Sequence, residues 1–595
     1  MTLTPIKAQS AQPRSIRTDL ILALALAAFL SICWSITDWA RLSRLMLPDP
    51  DDTMRLLQVR DWIAGQGIND WTQHRMAPPF GAPMHWSRVN DFGIAAIILA
   101  VRPLFGQHYA ELTAILLYPA ALFAAALFLS ARIARRLWGA QAAAIAVVLT
   151  ALAFPGPTVF IPGRIDHHAL QAVLIELIVL FLMRRASLRS GVAVGAFLAI
   201  SLVVGLETAP QVAALMAVVF FGWVAGQPGG RVRLAGFAAA FAGVTALFLL
   251  FLRPTLWSAQ FCDAFTPASS TAALAAAAAF GIMTVLHPLL HGWRWRLGVG
   301  AVLGGAALGG TVLAYPACVS GPYGAVDPFL LAVFYPHIIE ANGVFSQDRL
   351  ASMIAVGGLV AAACVVSVWM VARAPRRWTT TVPIVAALWV SALVMLAQVR
   401  GAYIGAPLSA PILAGLVLAA RRCERWRTAA VAGAWLASTG LVYLQVPESV
   451  ELLVRGQRAW PGGHIAPSVQ VACTVGDTWS EVDRYPPGIV MAGTNVAAYL
   501  IGSTHHSTIG AGYHRSNAAN MAVYRFYLST PDGSRAIARR WGVDYVVFCP
   551  ADFDEIDVSR TFPRSMATEL RANRPPNWLE RLPLANTPLR LYRVR

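Results

Sequence analysis

"FGIAAIILAVRPLFG", Phe92 to Gly106, decides how this chain is threaded. It is apolar, but at about fifteen residues, with Arg102 inside, it falls short of the roughly 17 to 25 needed to cross a bilayer. We read it as a helix lying at, or dipping into, the outer membrane surface. Every later basic cluster then falls on one side: Arg132/Arg135/Arg136, Arg184/Arg185/Arg189, Arg231/Arg233, Arg294/Arg296, Arg373/Arg376/Arg377 and Arg421/Arg422/Arg425/Arg427. Short loops rich in Lys and Arg stay in the cytoplasm, so that side is inside. Were the segment a span, all of these clusters would lie outside.

About thirteen apolar spans follow from this threading. They lie near 20–37, 110–131, 139–157, 169–183, 190–206, 210–226, 234–252, 270–290, 297–315, 351–372, 381–398, 404–420 and 428–445. The N-terminus is expected in the cytoplasm. Loops 38–109, 158–168 and 316–350 and the polar C-terminal stretch are expected outside, on the periplasmic face of a cytoplasmic (inner) membrane. Residues 1–446 then form an α-helical polytopic membrane body, and 447–595 a small α/β domain. The short β-rich runs "GIVMAG", "DYVVFCP" and "LRLYRV" and the helical "SRAIARRWG" carry the second assignment.

Composition agrees. Of 595 residues, 57% are hydrophobic and 13% charged, whereas a soluble domain has about 45–50% and about 25%. The net charge of +17 belongs to Arg-rich cytoplasmic loops, and no nucleic-acid partner is expected. The leader "MTLTPIKAQSAQPRSIRTD", with Lys7, Arg14 and Arg17, precedes a long apolar run without a small-residue cleavage site, so it reads as the flank of a retained span. Cys473 and Cys549 share the outer domain, and Cys262 and Cys318 lie in outer loops, where disulfides are permitted. Cys33, Cys364 and Cys423 read as membrane or cytoplasmic thiols.

Three acidic features share the outer face. "IPGRIDHHALQ" (161–171) holds Asp166, His167 and His168; "LPDPDDTMRLLQVRDW" (47–62) holds Asp49, Asp51 and Asp52; "VFYPHIIEANG" (333–343) holds Glu340. Carboxylates and a neutral imidazole from separate loops suit Mn²⁺ or Mg²⁺. On an extended segment Asp166 and His168 point the same way and His167 points away. Asp166 and the "PDPDD" carboxylates equally suit helix N-caps, and Glu340 a solvated loop charge. "MHWSRVND" supplies His85, Arg88 and Asp91, to bind a head group or anchor a helix at the interface; Glu207 in "GLETAP" faces either the site or water. "STHHSTIGAGYHR" has His505, His506, His514 and Tyr513 without an acidic or Cys partner at ligand spacing, and reads as a polar loop.

Together, the thirteen-span plan, the acidic first loop, "DHH" before the fourth span, "HIIE" and the outer C-terminal domain resemble the catalytic subunit of oligosaccharyltransferases. These are GT-C glycosyltransferases that take glycans from polyprenyl-linked carriers. "DHH" resembles the archaeal form of the second acidic motif, and "HIIE" a loop motif of the TIxE type. The resemblance implies an inverting, metal-dependent transferase with a polyprenyl-phosphate or polyprenyl-diphosphate sugar donor held at the membrane lipid surface. By position, Asp51 would ligate the metal and polarise the acceptor, with Asp49 as the alternative alignment. Asp166 and His168 would complete the metal site, and Glu340 would orient the acceptor or its metal. Arg400 in "AQVRGAY" would hold the carrier's phosphate, with His167, His85 and Arg88 as further substrate contacts; its alternative is interfacial snorkelling. The resemblance departs at the WWD-type motif, absent between Pro447 and Arg595, so the acceptor (a protein residue other than a sequon Asn, a lipid or a glycan) stays open. A transporter or flippase of lipid-linked sugars is the second reading. It would place ionisable residues in mid-span, where this chain has almost none.

Overall fold

The computed structural model describes residues 13–257, 261–324, 326–373, 378–424, 426–454, 473–474, 478–585 and 587–595. Lys7, Arg376, Arg377 and Arg425 lie outside the described residues. A helix coincides with every expected span, the last being split into Arg427–Ser438 and Gly440–Val454, bent by 87°. Among the described residues, nine helices are long and apolar enough to cross a membrane; Ala140–Ala151, His168–Leu182 and Leu188–Val204 are shorter apolar helices. Burial sorts them. Gly401–Ala420 is 83% buried and runs through the middle of the bundle, whereas Trp293–Ala314 is 6% buried and turns its apolar side chains outward. Small residues give the former its place: a Cβ on Gly401 would strike the Ser391 carbonyl, and one on Gly415 would strike the Trp138 ring.

Phe92–Gly106 is helical and continues into the second span as Arg88–Trp138, but Gly106 breaks the run at φ 81°. In a straight helix Asn90 and Tyr118 would be ~42 Å apart. Here the Tyr118 hydroxyl donates to Asn90 Oδ1 at 2.7 Å, so the two arms double back as a helical hairpin. Ile94, Ala95 and Ile98 pack on Ala110, Ala114 and Ile115 between the arms, while Leu104, Phe105 and Tyr109 stand exposed at the tip.

The C-terminal region is a five-stranded mixed sheet. A short ribbon in the first loop supplies β1 (Thr72–Gln73) and β2 (Ala82–Pro83); the sheet holds β3 (Ile489–Ala492), β4 (Ser507–Thr508), β5 (Tyr545–Phe548), β6 (Leu579–Leu582) and β7 (Arg590–Val594). Its order is β4-β3-β5-β7-β6, with β3 parallel to β4 and β5, and β7 antiparallel to β5 and β6. The runs read from sequence as strands are β3, β5 and β7, and "SRAIARRWG" lies in the helix Pro531–Trp541. The two-residue β4 and the polar "LERL" of β6 lack the apolar alternation that marks a strand.

This sheet is not separate from the rest. Its edge strand β4 is bridged by the first loop, where Ala77 N–H donates to the Thr508 carbonyl and Thr508 N–H to the Arg75 carbonyl, each at 2.9 Å. Met54, Leu57, Met76 and Trp86 share a core with Val490, Leu500 and Leu591. The helix Gly440–Val454 also runs straight through residue 447. The boundary expected between 446 and 447 therefore falls inside a helix, and the two parts pack through a common apolar core. Disulfides join Cys262 to Cys318 and Cys473 to Cys549.

Candidate active site at the loop-bearing end

The helix Pro50–Ile63 builds one wall of the site. Asp49 is its N-cap, accepting from Asp51 N–H at 3.0 Å, with Pro50 supplying the preset φ of a first helical residue. Asp52 is fully buried and accepts the backbone N–H groups of Ile165 and Asp166 at 2.8 and 2.9 Å. Arg164 donates to Asp49 at 2.6 Å and lies 3.4 Å from Asp52. Thus "PDPDD" divides its labour: Asp49 caps, Asp52 pins the "RIDHH" loop, and Asp51 faces the cavity. Burial, then the charges of Asp49, Asp166 and Glu340, raise the Asp51 carboxyl well above its usual range. Burial likewise pushes Asp52 up to about 8, against the pull of Arg164.

Asp166, His167 and His168 converge, with one ligand atom from each within 4.8 Å of the others. Asp166 does not cap the following helix: its Oδ1 accepts from Arg55 Nη2 at 3.2 Å and meets His167 Nδ1 at 2.6 Å. Its Oδ2 is buried without a hydrogen bond among the described residues, and His168 Nε2 lies 3.4 Å away. Burial opposes the charge on Asp166, but His167, His168 and Arg55 outweigh it and hold the carboxyl well below its ordinary value.

His167 does not point away. The segment is not extended: His167 has φ −75° and ψ −13°, which turns its ring back onto Asp166. Its other nitrogen is 3.2 Å from Glu207. Burial alone would lower its pKa, yet Asp166 and Glu207 push it up to about 10. With Nδ1 on Asp166, Nε2 at ion-pair distance from Glu207 and the side chain 3% exposed, His167 stands as a brace between two carboxylates.

Arg88 is 1% exposed, and its guanidinium donates to Asp91, Gln66 and the carbonyls of Gln58 and Asp70. Asp91 in turn accepts from Arg55 at 3.1 Å. "RVND" therefore supports Arg55, which stacks 4.4 Å over Trp86. Sequence reading missed Arg55 altogether. Its only signal is a lone Arg among Met54, Leu56 and Leu57 on a helix that is buried along most of its length.

A cavity of about 1340 Å³ lies between the bundle and the C-terminal sheet, lined by Asp51, His85, Glu207, Glu340 and Arg400 among others. Glu340 is not a loose loop charge: Tyr403 donates to it at 2.9 Å and Arg400 at 3.3 Å, and His168 Nε2 lies 3.8 Å away. Burial raises Glu340, but His168, Arg400 and Arg164 outweigh it and leave the carboxyl below its usual range. Arg400 also reaches the Tyr323 hydroxyl at 3.5 Å, so its charge is directed into the cavity. Asp166 and His168 stand behind this wall and meet it through Glu340. Of the C-terminal histidines, His505 is exposed on Asp483 and His506 is buried on backbone groups. His514 does have an acidic partner, Asp263, which sequence spacing could not show because it lies 251 positions away.

No protein family matches the sequence, and no curated protein does. Solved structures do match. The Archaeoglobus fulgidus oligosaccharyltransferase in its apo form gives a TM-score of 0.61 at 16% identity, over 91% of this chain and 70% of that one. The same archaeal enzyme, AglB, in complex with an inhibitory peptide and a dolichol-phosphate gives 0.62 at 13% identity, over 95% and 72%. Its complex with Zn and sulfate gives 0.55 at 15% identity, over 89% and 67%. At these identities the likeness is one of fold: this chain has the helical membrane fold, with an added mixed sheet, of archaeal oligosaccharyltransferase.

Proposed function

We propose, from the GT-C fold and the chemistry of the cavity, that the chain is a membrane glycosyltransferase. It moves a sugar or oligosaccharide from a polyprenyl-phosphate or polyprenyl-diphosphate carrier to an acceptor on the outer face of the cytoplasmic membrane, its N-terminus inside. One observation carries the reading: Asp51, Glu340 and Arg400, from three separate segments, face one cavity backed by the Asp166–His168 pair. The archaeal neighbour's complex with dolichol-phosphate supports a lipid-linked donor.

Inversion requires the acceptor to attack in line as the carrier phosphate leaves. Arg400 is placed to grip that phosphate through its guanidinium, and a planar fork does this better than an ammonium. Asp51 faces the cavity and, with its raised affinity for a proton, is suited to take one from an acceptor hydroxyl. Glu340 holds Arg400 and Tyr403 in register. The unbonded Asp166 Oδ2 and the His168 ring beside it would hold a divalent cation, with His167 and Arg55 orienting Asp166. A mixed imidazole and carboxylate set suits Mn²⁺ better than Mg²⁺. Such an ion would supply positive charge for the departing phosphate.

The test uses purified protein in vesicles with membrane-extracted polyprenyl-linked sugars. Transfer is expected, abolished by EDTA and restored by Mn²⁺, and Asp166→Asn, which keeps the side chain's size, should lose transfer and Mn²⁺ binding in protein shown to be folded by circular dichroism. Full activity and Mn²⁺ binding in Asp166→Asn would overturn the metal assignment. A transporter or flippase has one residue in its favour: Glu176, in the helix His168–Leu182, is buried with neither carboxylate oxygen bonded to a described residue. Translocation of lipid-linked sugar without any transfer, in the same vesicles, would replace the transferase reading with that one.

A further inference from the structure

A second group of ligand-type side chains lines the same cavity, and the proposed reaction does not use it. His85 closes the first loop, Asp263 follows Cys262 in the loop after the helix Gly230–Phe251, and His514 comes from the C-terminal region. These are three remote segments, yet one ligand atom from each lies within 4.8 Å of the others.

Asp263 is oriented from behind. Arg515 donates from Nη2 to its Oδ1 at 2.8 Å and from Nε to its Oδ2 at 3.1 Å, the Arg515 guanidinium rests 4.4 Å over the Phe261 ring, and Oδ2 also meets His514 Nε2. A carboxylate held from one side by an outer arginine while it presents an oxygen to an imidazole is oriented as outer partners orient metal ligands. The His85 ring, 5.0 Å from that of His514, makes no hydrogen bond to a described residue. All three residues line the cavity, so a fourth coordination position would open into it.

We propose that His85, Asp263 and His514 form a second divalent-metal site, of the zinc class, tying the first loop, the Cys262 loop and the C-terminal region together around the cavity. Two imidazoles and one carboxylate with an open position are a zinc-type donor set; hard, all-oxygen cations such as Mg²⁺ and Ca²⁺ are poorly served by it. The proposal does not rest on the glycosyltransferase reading, because its readout is metal binding alone.

The experiment begins from Asp166→Asn, so that the first cluster is disabled. The full-length protein is stripped with EDTA and titrated with Co²⁺, followed by its visible absorption, and then with Zn²⁺. One ion per chain is expected, with Zn²⁺ displacing Co²⁺. Adding His514→Gln or Asp263→Asn should weaken binding at least tenfold. His85→Gln should do the same while leaving the Asp263 ion pair intact, so it reports on the ligand even if the other two variants misfold. Absence of binding in Asp166→Asn, or undiminished binding in the folded His85→Gln protein, would overturn the proposal and leave the group as an ion-paired junction.

Discussion

Arg55→Met tests whether the buried ion network, and not apolar packing alone, holds the "RIDHH" loop. Arg55 bridges Asp91 at 3.1 Å and Asp166 at 3.2 Å, with all three side chains 3% exposed or less. Removing one member of a buried pair costs about 3–5 kcal/mol, because the charge left behind has neither water nor partner. Two carboxylates lose Arg55, but Asp91 keeps Arg88 at 3.2 Å and Asp166 keeps His167 at 2.6 Å, so that cost is incurred once and not twice. The guanidinium over Trp86 contributes about 2 kcal/mol more when desolvated. A methionine thioether recovers roughly 0.3–1.5 kcal/mol of that against the ring. The expected loss is about 3.5–6.7 kcal/mol, or roughly two and a half to five powers of ten in the unfolding equilibrium. SDS titration of the protein in mixed micelles, followed by tryptophan fluorescence, measures it. The companion variant Arg55→Lys keeps a cation within the network and should recover part of the loss. The reasoning is refuted if Arg55→Met unfolds within about half a kcal/mol of wild type, or if Arg55→Lys is no more stable than Arg55→Met.

Two further predictions concern activity. Arg400→Lys keeps the charge but not the two-pronged grip, so transfer should fall by about tenfold or more at unchanged thermal stability; wild-type turnover in Arg400→Ala would return the residue to interfacial anchoring. The acid limb of the pH–activity profile should lie above the ordinary carboxylate range, because Asp51 must lose a proton that burial and its acidic neighbours help it keep. Asp49→Asn retains a capping side chain but removes one of those negative charges, so Asp51 should ionise more easily and the limb should move to lower pH. A limb that stays in place would dissociate Asp51 from the rate.

The helical plan was legible in the sequence because lipid imposes it: long apolar runs and Arg-rich loops are local signals, and each expected span meets a helix. The site was legible only in its parts. Asp51, Asp166, Glu340 and Arg400 announce themselves as charged residues beside apolar segments. Their partners do not, since Arg55 reaches Asp166 across 111 positions and Glu340 meets Tyr403 across 63. His167 was misread because its direction depends on one turn of backbone, and a period-two argument holds only for an extended chain. The burial of Arg88 was not legible, because a basic residue beside an aromatic is the usual mark of a membrane interface and nothing local reveals its buried partner Asp91.

The bridge between the first loop and strand β4 bears on how the protein is made. Arg75 donates to the Thr504 carbonyl 429 positions later, and to the Ile501 carbonyl beside it. During synthesis the first loop emerges early and must wait, with Met54, Leu57 and Trp86 uncovered, until the final segment of the chain arrives to close over them. Conversely, the last 150 or so residues made alone would present β4 as a bare edge, the kind of strand that pairs with a neighbouring copy. The first loop and the terminal sheet therefore each cover an apolar face of the other. A chain interrupted after the last span would carry all the acidic motifs and still lack the surface that holds the first of them in place.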